Sequence, residues 1–287
     1  EGRKIALSAA IETDRDREWF GIGNDTIFDD RRTVKDETLS AQFEIDLTPR
    51  DSKRFFGVLR TGYLRQTLNP GEGPRAPPVG GDPDVVVPPG FEQSLDYASA
   101  GVELTLSSVD SVGRPTRGGL LQLETTAATE FDRGDLSAWI TEVRAVRYLR
   151  VLPRNRVLAF KGGASASVPL REGDSVPFAQ LVNYGGNDIL RGYRRGRWRD
   201  EWGWWGALEY SFPIYDFGGL GFELAPTFFF DVGRVGPEFD ELFEGPVRYS
   251  GGVGVRASHD LFFAFQVSLG FSPDGAQFNL DLGEAFF

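Results

Sequence analysis

Apolar and polar residues alternate along most of this chain. Between residues 39 and 48, and again between 263 and 271, every second side chain is apolar and those between are polar or small. Strict alternation places one set of side chains on each face of a β-sheet. The pattern predicts an all-β chain of about twelve strands, with boundaries good to a few residues. They lie near residues 3–13, 38–49, 54–66, 95–107, 118–130, 137–149, 155–168, 202–213, 220–233, 247–258, 261–272 and 276–286.

The connections between these strands alternate between short and long. Long connections at 14–37, 68–94 and 169–201 contrast with short ones such as the turn at 152–155. This alternation of short and long connections is typical of antiparallel transmembrane β-barrels whose termini are both periplasmic. Most of the predicted strands are also long enough to cross a bilayer, which takes ~9–11 residues. A soluble β-sandwich is the alternative, but its strands typically have ~6 residues. We therefore predict a single outer-membrane β-barrel domain over residues 1–287, in the bacterial outer membrane.

Composition narrows the function classes. The chain has 31 Lys and Arg against 42 Asp and Glu, a net charge of −11, which makes nucleic acid a poor partner. Cysteine is absent and His259 is the single histidine, so we predict no metal site and no cofactor. No stretch approaches the ~18 apolar residues of a membrane helix.

One long connection is strongly basic. It contains the pair Gly185-Gly186 and then five arginines between residues 191 and 199. Guanidinium groups inside a barrel need carboxylate partners, and the inward faces of the predicted strands supply them. The most economical pairing joins Arg191 to Glu209 and Asp231, which would fold the basic outer loop into the lumen. A solvated loop on the cell surface is the alternative.

The order of motifs resembles that of the outer-membrane assembly and translocation superfamily, the BamA-, TamA- and FhaC-like barrels also called bacterial surface antigens. The resemblance covers most of the chain. It is carried by Leu190-Arg191-Gly192-Tyr193 after Gly185-Gly186, by Glu209, by Phe229, Asp231 and Gly233, by Asp110 with Pro115-Thr116-Arg117-Gly118, and by a terminal strand containing Phe278, Leu280, Leu282 and Phe286.

The resemblance implies roles for these residues. In such barrels the loop arginine reaches through the lumen to strand acids, which assigns Glu209 and Asp231 as loop-anchoring acids for Arg191. The terminal strand is expected to act as an assembly signal. Family barrels have sixteen strands and usually periplasmic POTRA domains before them, so we expect a short member of about twelve strands, without POTRA domains in this chain.

Two functions remain open at this stage. The resemblance implies assistance to the insertion or translocation of proteins through a weak seam between the first and last strands. The alternative is a passive pore or structural barrel, plugged by its arginine-rich loop. Expected partners are outer-membrane lipid, client outer-membrane or secreted proteins, and either further copies of the chain or a separate periplasmic protein.

We predict that the protein is not an enzyme. A phospholipase of the barrel type would need a serine and a histidine together on the outer wall, whereas His259 falls in a tight turn. The paired carboxylates could be read as a glycosidase acid and base, but they are better explained as arginine partners.

Overall fold

The computed structural model describes residues 4–80, 86–131, 135–152, 156–217, 222–259 and 263–282. Within these ranges the chain is built from β-strands and a few single-turn 3-10 helices. The strands are β1 (Ile5–Trp19), β2 (Arg32–Asp46), β3 (Phe55–Pro70), β4 (Ser94–Ser107), β5 (Gly118–Glu130), β6 (Ser137–Leu152), β7 (Arg156–Val168), β8 (Val182–Tyr184), β9 (Trp198–Asp200), β10 (Trp202–Ser211), β11 (Tyr215–Phe217), β12 (Phe222–Gly236), β13 (Arg248–His259), β14 (Phe263–Ser272) and β15 (Gly275–Leu282). None of the described helices is long and apolar enough to cross a membrane.

Twelve long strands form one antiparallel sheet in which neighbours in sequence are neighbours in space. The order is β1 to β7, then β10, then β12 to β15, and short β11 pairs with β12. Strands β8 and β9 form a separate hairpin within the connection between β7 and β10. The all-β barrel fold and its number of wall strands are confirmed.

Alternation fixes the two faces of the wall. On β12, Phe228 and Phe230 are about half exposed on the outer face, while Phe229 and Asp231 are buried on the inner face. The same division places apolar side chains outward and most of the charged ones inward. The sequence pattern therefore separates a lipid-facing band from a polar lumen.

The first hairpin is longer than predicted. Residues 14–37 were expected to form a loop, but β1 continues to Trp19 and β2 begins at Arg32. The pairing carries a register shift between Asp14 and Arg17. Polar residues interrupt the apolar alternation here. The ladder nevertheless continues, because β3 pairs with β2 as far as Val34 and because Trp19 and Val34 are buried against Leu68 and Phe178.

The ends of the barrel differ. The long connections and the short β14–β15 turn lie at one end, here called the loop end, and the other short connections lie at the opposite end, here called the turn end. A core of buried side chains fills the lumen at the loop end, formed by Val182, Tyr184, Leu190, Tyr193, Trp198, Trp205 and Val235.

The wall has two free edges. The ladder runs from β1 to β15, and within the described residues no backbone pairing joins these two strands. A fully closed wall was expected, so this is a difference. Residues 5–15 of β1 are exposed throughout, on both faces, and Leu282 of β15 is 70% exposed.

Candidate functional site

The basic connection folds into the lumen as predicted. We call residues 185–200 the signature loop. It begins with Gly185 and Gly186, whose φ values of +105° and +125° favour glycine. A Cβ on Gly185 would lie 2.3 Å from the carbonyl oxygen of Arg194, so this turn also needs the absence of a side chain. The glycine pair thus turns the chain from β8 into the loop that returns through β9.

Arg191 is held chiefly by Asp231 of β12. Its Nη2 donates to Oδ1 at 2.7 Å, its Nε donates to Oδ2 at 3.1 Å, and its backbone N–H donates to Oδ2 at 2.9 Å. Both residues are buried, and such a two-pronged contact is the geometry in which a guanidinium binds a carboxylate most strongly. The preceding Leu190 has a φ of +54°, so the loop turns sharply to aim the arginine.

Glu209 of β10 collects several cations. Arg191 Nη1 donates to its Oε2 at 2.7 Å, and Arg256 Nη2 donates to its Oε1 at 2.6 Å. Lys161 Nζ lies 3.8 Å from Oε2. The pairing of Arg191 with both acids was predicted, whereas Arg256 and Lys161 were missed. Their positions on the inward faces of β13 and β7 were the available signal. Alternation does not show, however, which inward residues lie at the same level along the barrel axis.

Close packing seats the loop on the wall. The guanidinium of Arg191 lies 3.8 Å from the ring centroid of Phe229, a cation–π contact. A Cβ on Gly192 would lie 2.6 Å from the carbonyl oxygen of Phe271, and one on Gly233 would lie 3.0 Å from that of Trp204. These motif positions are therefore small because backbone or side chain passes directly over them.

Tyr193 completes the motif as part of the lumen core. It is 2% exposed, and its ring meets that of Trp198 edge-on at 5.5 Å. Its backbone N–H donates to Leu190 O at 2.9 Å, which closes the turn around Arg191.

The last hairpin also binds the loop. Asn279 donates to Arg191 O at 2.8 Å, Asn187 donates to Leu280 O at 2.9 Å, and Ser272 donates to Gly192 O at 2.8 Å. The side chains of Phe278, Leu280 and Leu282 are exposed on the outer face. Phe286, the fourth predicted residue of the assembly signal, lies outside the described residues.

Further loop arginines reach the first hairpin. Arg194 Nη1 binds Glu18 Oε1 at 2.7 Å, and Arg197 donates to Thr26 Oγ1 at 2.6 Å. The resemblance gave no role to either arginine, and the sequence carries no signal that pairs them with residues so far away.

The loop's second hairpin strand, β9, buries two charges. Burial and, to a smaller extent, the nearby charge of Arg17 together lower the pKa of Arg199 to about 9. Burial also raises the pKa of Asp200 to about 6. The loop end of the lumen is thus dry enough to disfavour charge.

The Asp110 motif lies in a turn at the turn end. Burial acts to raise the pKa of Asp110, but hydrogen bonds from Thr116 and Arg117 outweigh it and lower the pKa. Thr116 donates through its backbone N–H at 2.8 Å and its hydroxyl at 2.6 Å. The motif is accordingly a self-bonded turn between β4 and β5.

Together the sheet and the buried loop define an integral outer-membrane β-barrel with a polar lumen into which the loop folds. The chain belongs to the Omp85 superfamily, because residues 92–286, more than half of its length, match the Omp85 superfamily domain.

The fold is similar to solved structures of larger proteins. One is BamA from Haemophilus ducreyi in a form lacking POTRA domains 1–3, with a TM-score of 0.61 and 15% identity over 98% of this chain and 59% of that one. Another is CdiB from Escherichia coli, with a TM-score of 0.57 and 14% identity over 98% of this chain and 49% of that one. The chain therefore spans between about half and three fifths of these solved chains. No curated protein matches the sequence.

Proposed function

We propose that the barrel assists the insertion or translocation of proteins at the outer membrane through the seam between β1 and β15. The proposal places the loop end at the cell surface and both termini in the periplasm. The observation that supports the proposal most directly is the pair of edges left unjoined within the described residues.

An unjoined edge has a physical consequence in a membrane. Its backbone N–H and C=O groups lack partners, and hydrocarbon supplies none, so the edge favours any strand that can pair with it. Residues 5–15 of β1 form such an edge, with neither face covered. A client strand could pair with β1 by β-augmentation, in which main-chain bonds provide the affinity.

The partners follow from this mechanism. Outer-membrane lipid contacts the apolar outer face, which carries residues such as Phe228 and Phe230. The clients would be outer-membrane or secreted proteins that present an unpaired strand. Delivery of clients is assigned to a separate periplasmic partner or to further copies of the chain.

A reversible lock on the seam tests the proposal. The chain has no cysteine, so Ala6→Cys with Asp281→Cys can be joined by a short cleavable thiol cross-linker between the two edges. The matched control is Ala10→Cys with Ser40→Cys, because these residues already face each other in the β1–β2 pairing.

Client insertion into liposomes is then measured before cross-linking, after it, and after reduction. The seam lock should abolish the gain in client insertion, reduction should restore it, and the control lock should leave it unchanged. Full insertion by the seam-locked barrel would contradict lateral opening. Steady conductance in planar bilayers with no effect on clients would support the passive pore or structural barrel instead.

A further inference from the structure

Arg197 of the signature loop bridges two distant parts of the chain. Its Nε donates to Asp274 Oδ2 at 2.5 Å, while its Nη1 and Nη2 donate to Thr26 Oγ1 at 2.6 Å and Thr26 O at 2.8 Å. Arg197 is 2% exposed, although it is a charged residue on a long connection. Two edges of one planar guanidinium thus donate to two partners.

These partners belong to opposite edges of the sheet. Asp274 lies in the turn between β14 and β15, and Thr26 lies in the connection between β1 and β2. Backbone pairing does not join these hairpins within the described ranges. The guanidinium therefore supplies a link that the ladder lacks.

Other loop contacts reinforce the same link. Gly23 N–H, in the β1–β2 connection, donates to Arg199 O at 2.7 Å, and Arg194 binds Glu18 near the end of β1. On the other side, and further toward the turn end, Asn187 donates to Leu280 O of β15. The loop thus holds the first and last hairpins at once.

The seam below this level is not held in the same way. A cavity of about 510 Å³ lies beside the loop, lined by Glu12 and Asp14 of β1, by Arg194 and Arg195 of the loop and by Gln277 of β15. None of the hydrogen bonds or ion pairs of the described residues joins residues 5–13 of β1 to β15 or to the signature loop. On the β1 side, the bridging contacts are therefore concentrated at the loop end.

We infer that Arg197, Asp274 and Thr26 form a clasp that holds β1 and β15 together at the loop end, so that the seam separates from the turn end first. Aromatic rings shield the clasp, since the guanidinium lies 3.8 Å from the Trp198 ring and 5.0 Å from that of Phe20. This inference concerns how the edges are held and stands independently of the proposed function.

Spin-label distances in lipid nanodiscs test the clasp. Cysteines replace exposed outer-face residues in two pairs, Thr13 with Ala276 toward the loop end and Leu7 with Leu282 toward the turn end. We expect a narrower distance distribution for the first pair than for the second. With Arg197→Ala, the distribution of the first pair should widen to resemble that of the second.

Matched variants make the result specific. Asp274→Asn should widen the same distribution, whereas Arg195→Ala, which removes an exposed arginine from the same loop, should not. Each variant is first shown to keep the heat-resistant gel mobility of a folded barrel. An unchanged loop-end distribution in folded Arg197→Ala would overturn the clasp, as would equal widening by Arg195→Ala. The readout is a distance and not client insertion, so failure here leaves the proposed function to its own test.

Discussion

At the scale of single residues, Arg191 anchors the signature loop to the wall through Asp231 and Glu209. Arg191→Ala leaves the buried carboxylate of Asp231 without its main partner and Glu209 without one of its cations, a change that costs about 3–5 kcal/mol in a dry site. We expect the variant to lose its heat-resistant mobility on semi-native gels at a lower temperature. Arg195→Ala is the control and should behave like the unmodified barrel. Equal heat resistance of Arg191→Ala would show that the pairing contributes little.

Asp200 predicts a pH dependence. Because burial raises its pKa to about 6 from 3.8, the folded protein takes up this proton more readily than the unfolded chain. Stability from this group therefore rises as pH falls from about 7 to about 4. Asp200→Asn should stabilise the barrel by roughly 2–3 kcal/mol at about pH 8 and by little near pH 4. The unfolding temperatures of the unmodified barrel and of Asp200→Asn at these two pH values check this prediction. A difference between the two unfolding temperatures that does not change with pH would contradict it.

The central ion pair could be predicted from sequence, but its surroundings could not. Alternation placed Glu209 and Asp231 on inward faces, and the motif order singled out Arg191. Arg256 and Lys161 also lie on inward faces, yet their meeting at Glu209 depends on the stagger between strands. That stagger is set by the whole sheet, and no local sequence pattern encodes it.

At the scale of elements, the contact between the signature loop and β14 depends on the absence of a side chain. A Cβ on Gly270 would lie 2.4 Å from the carbonyl oxygen of Arg191. Gly270→Ala should therefore displace the loop and destabilise the barrel by about 1–3 kcal/mol, as overpacking does. Protease cleavage within the loop should become faster. Gly206→Ala on β10 is the control, since its nearest contact would be 3.5 Å, and similar cleavage rates in both variants would argue against the close approach.

Long strands could be predicted because their period is visible over many residues. The three-residue strands β8, β9 and β11 were missed, since three residues carry no recognisable period. The polar extension of β1 was missed for the related reason that Asp14 to Arg17 break the apolar alternation. Tertiary pairing, and not local pattern, defines these segments.

At the scale of the whole molecule, we propose that the barrel works without a catalytic residue. His259 lies at the end of β13, with its ring 5.1 Å from that of Phe222. His259→Ala should leave client insertion unchanged. Lipase, protease and glycosidase substrates should show no turnover with the purified barrel. Turnover that the unmodified barrel shows and that His259→Ala or another single substitution abolishes would overturn the proposal.

The barrel as a whole follows from alternation, strand length and loop rhythm, but its open edges do not. Whether β1 pairs with β15 depends on strand stagger. Sequence alternation is the same for a joined and an unjoined edge, so the edges left unjoined within the described residues became visible only in three dimensions.

The bonds of Arg191 also set an order for folding. Its partners all come later in the chain, with Glu209 18 residues on, Asp231 40 and Asn279 88. Contacts so distant in sequence form slowly, because the intervening chain must be ordered first. We therefore expect the signature loop to dock late, after β12 and the final hairpin are in place. A chain that ended before Asn279 would fold with the loop held by fewer bonds.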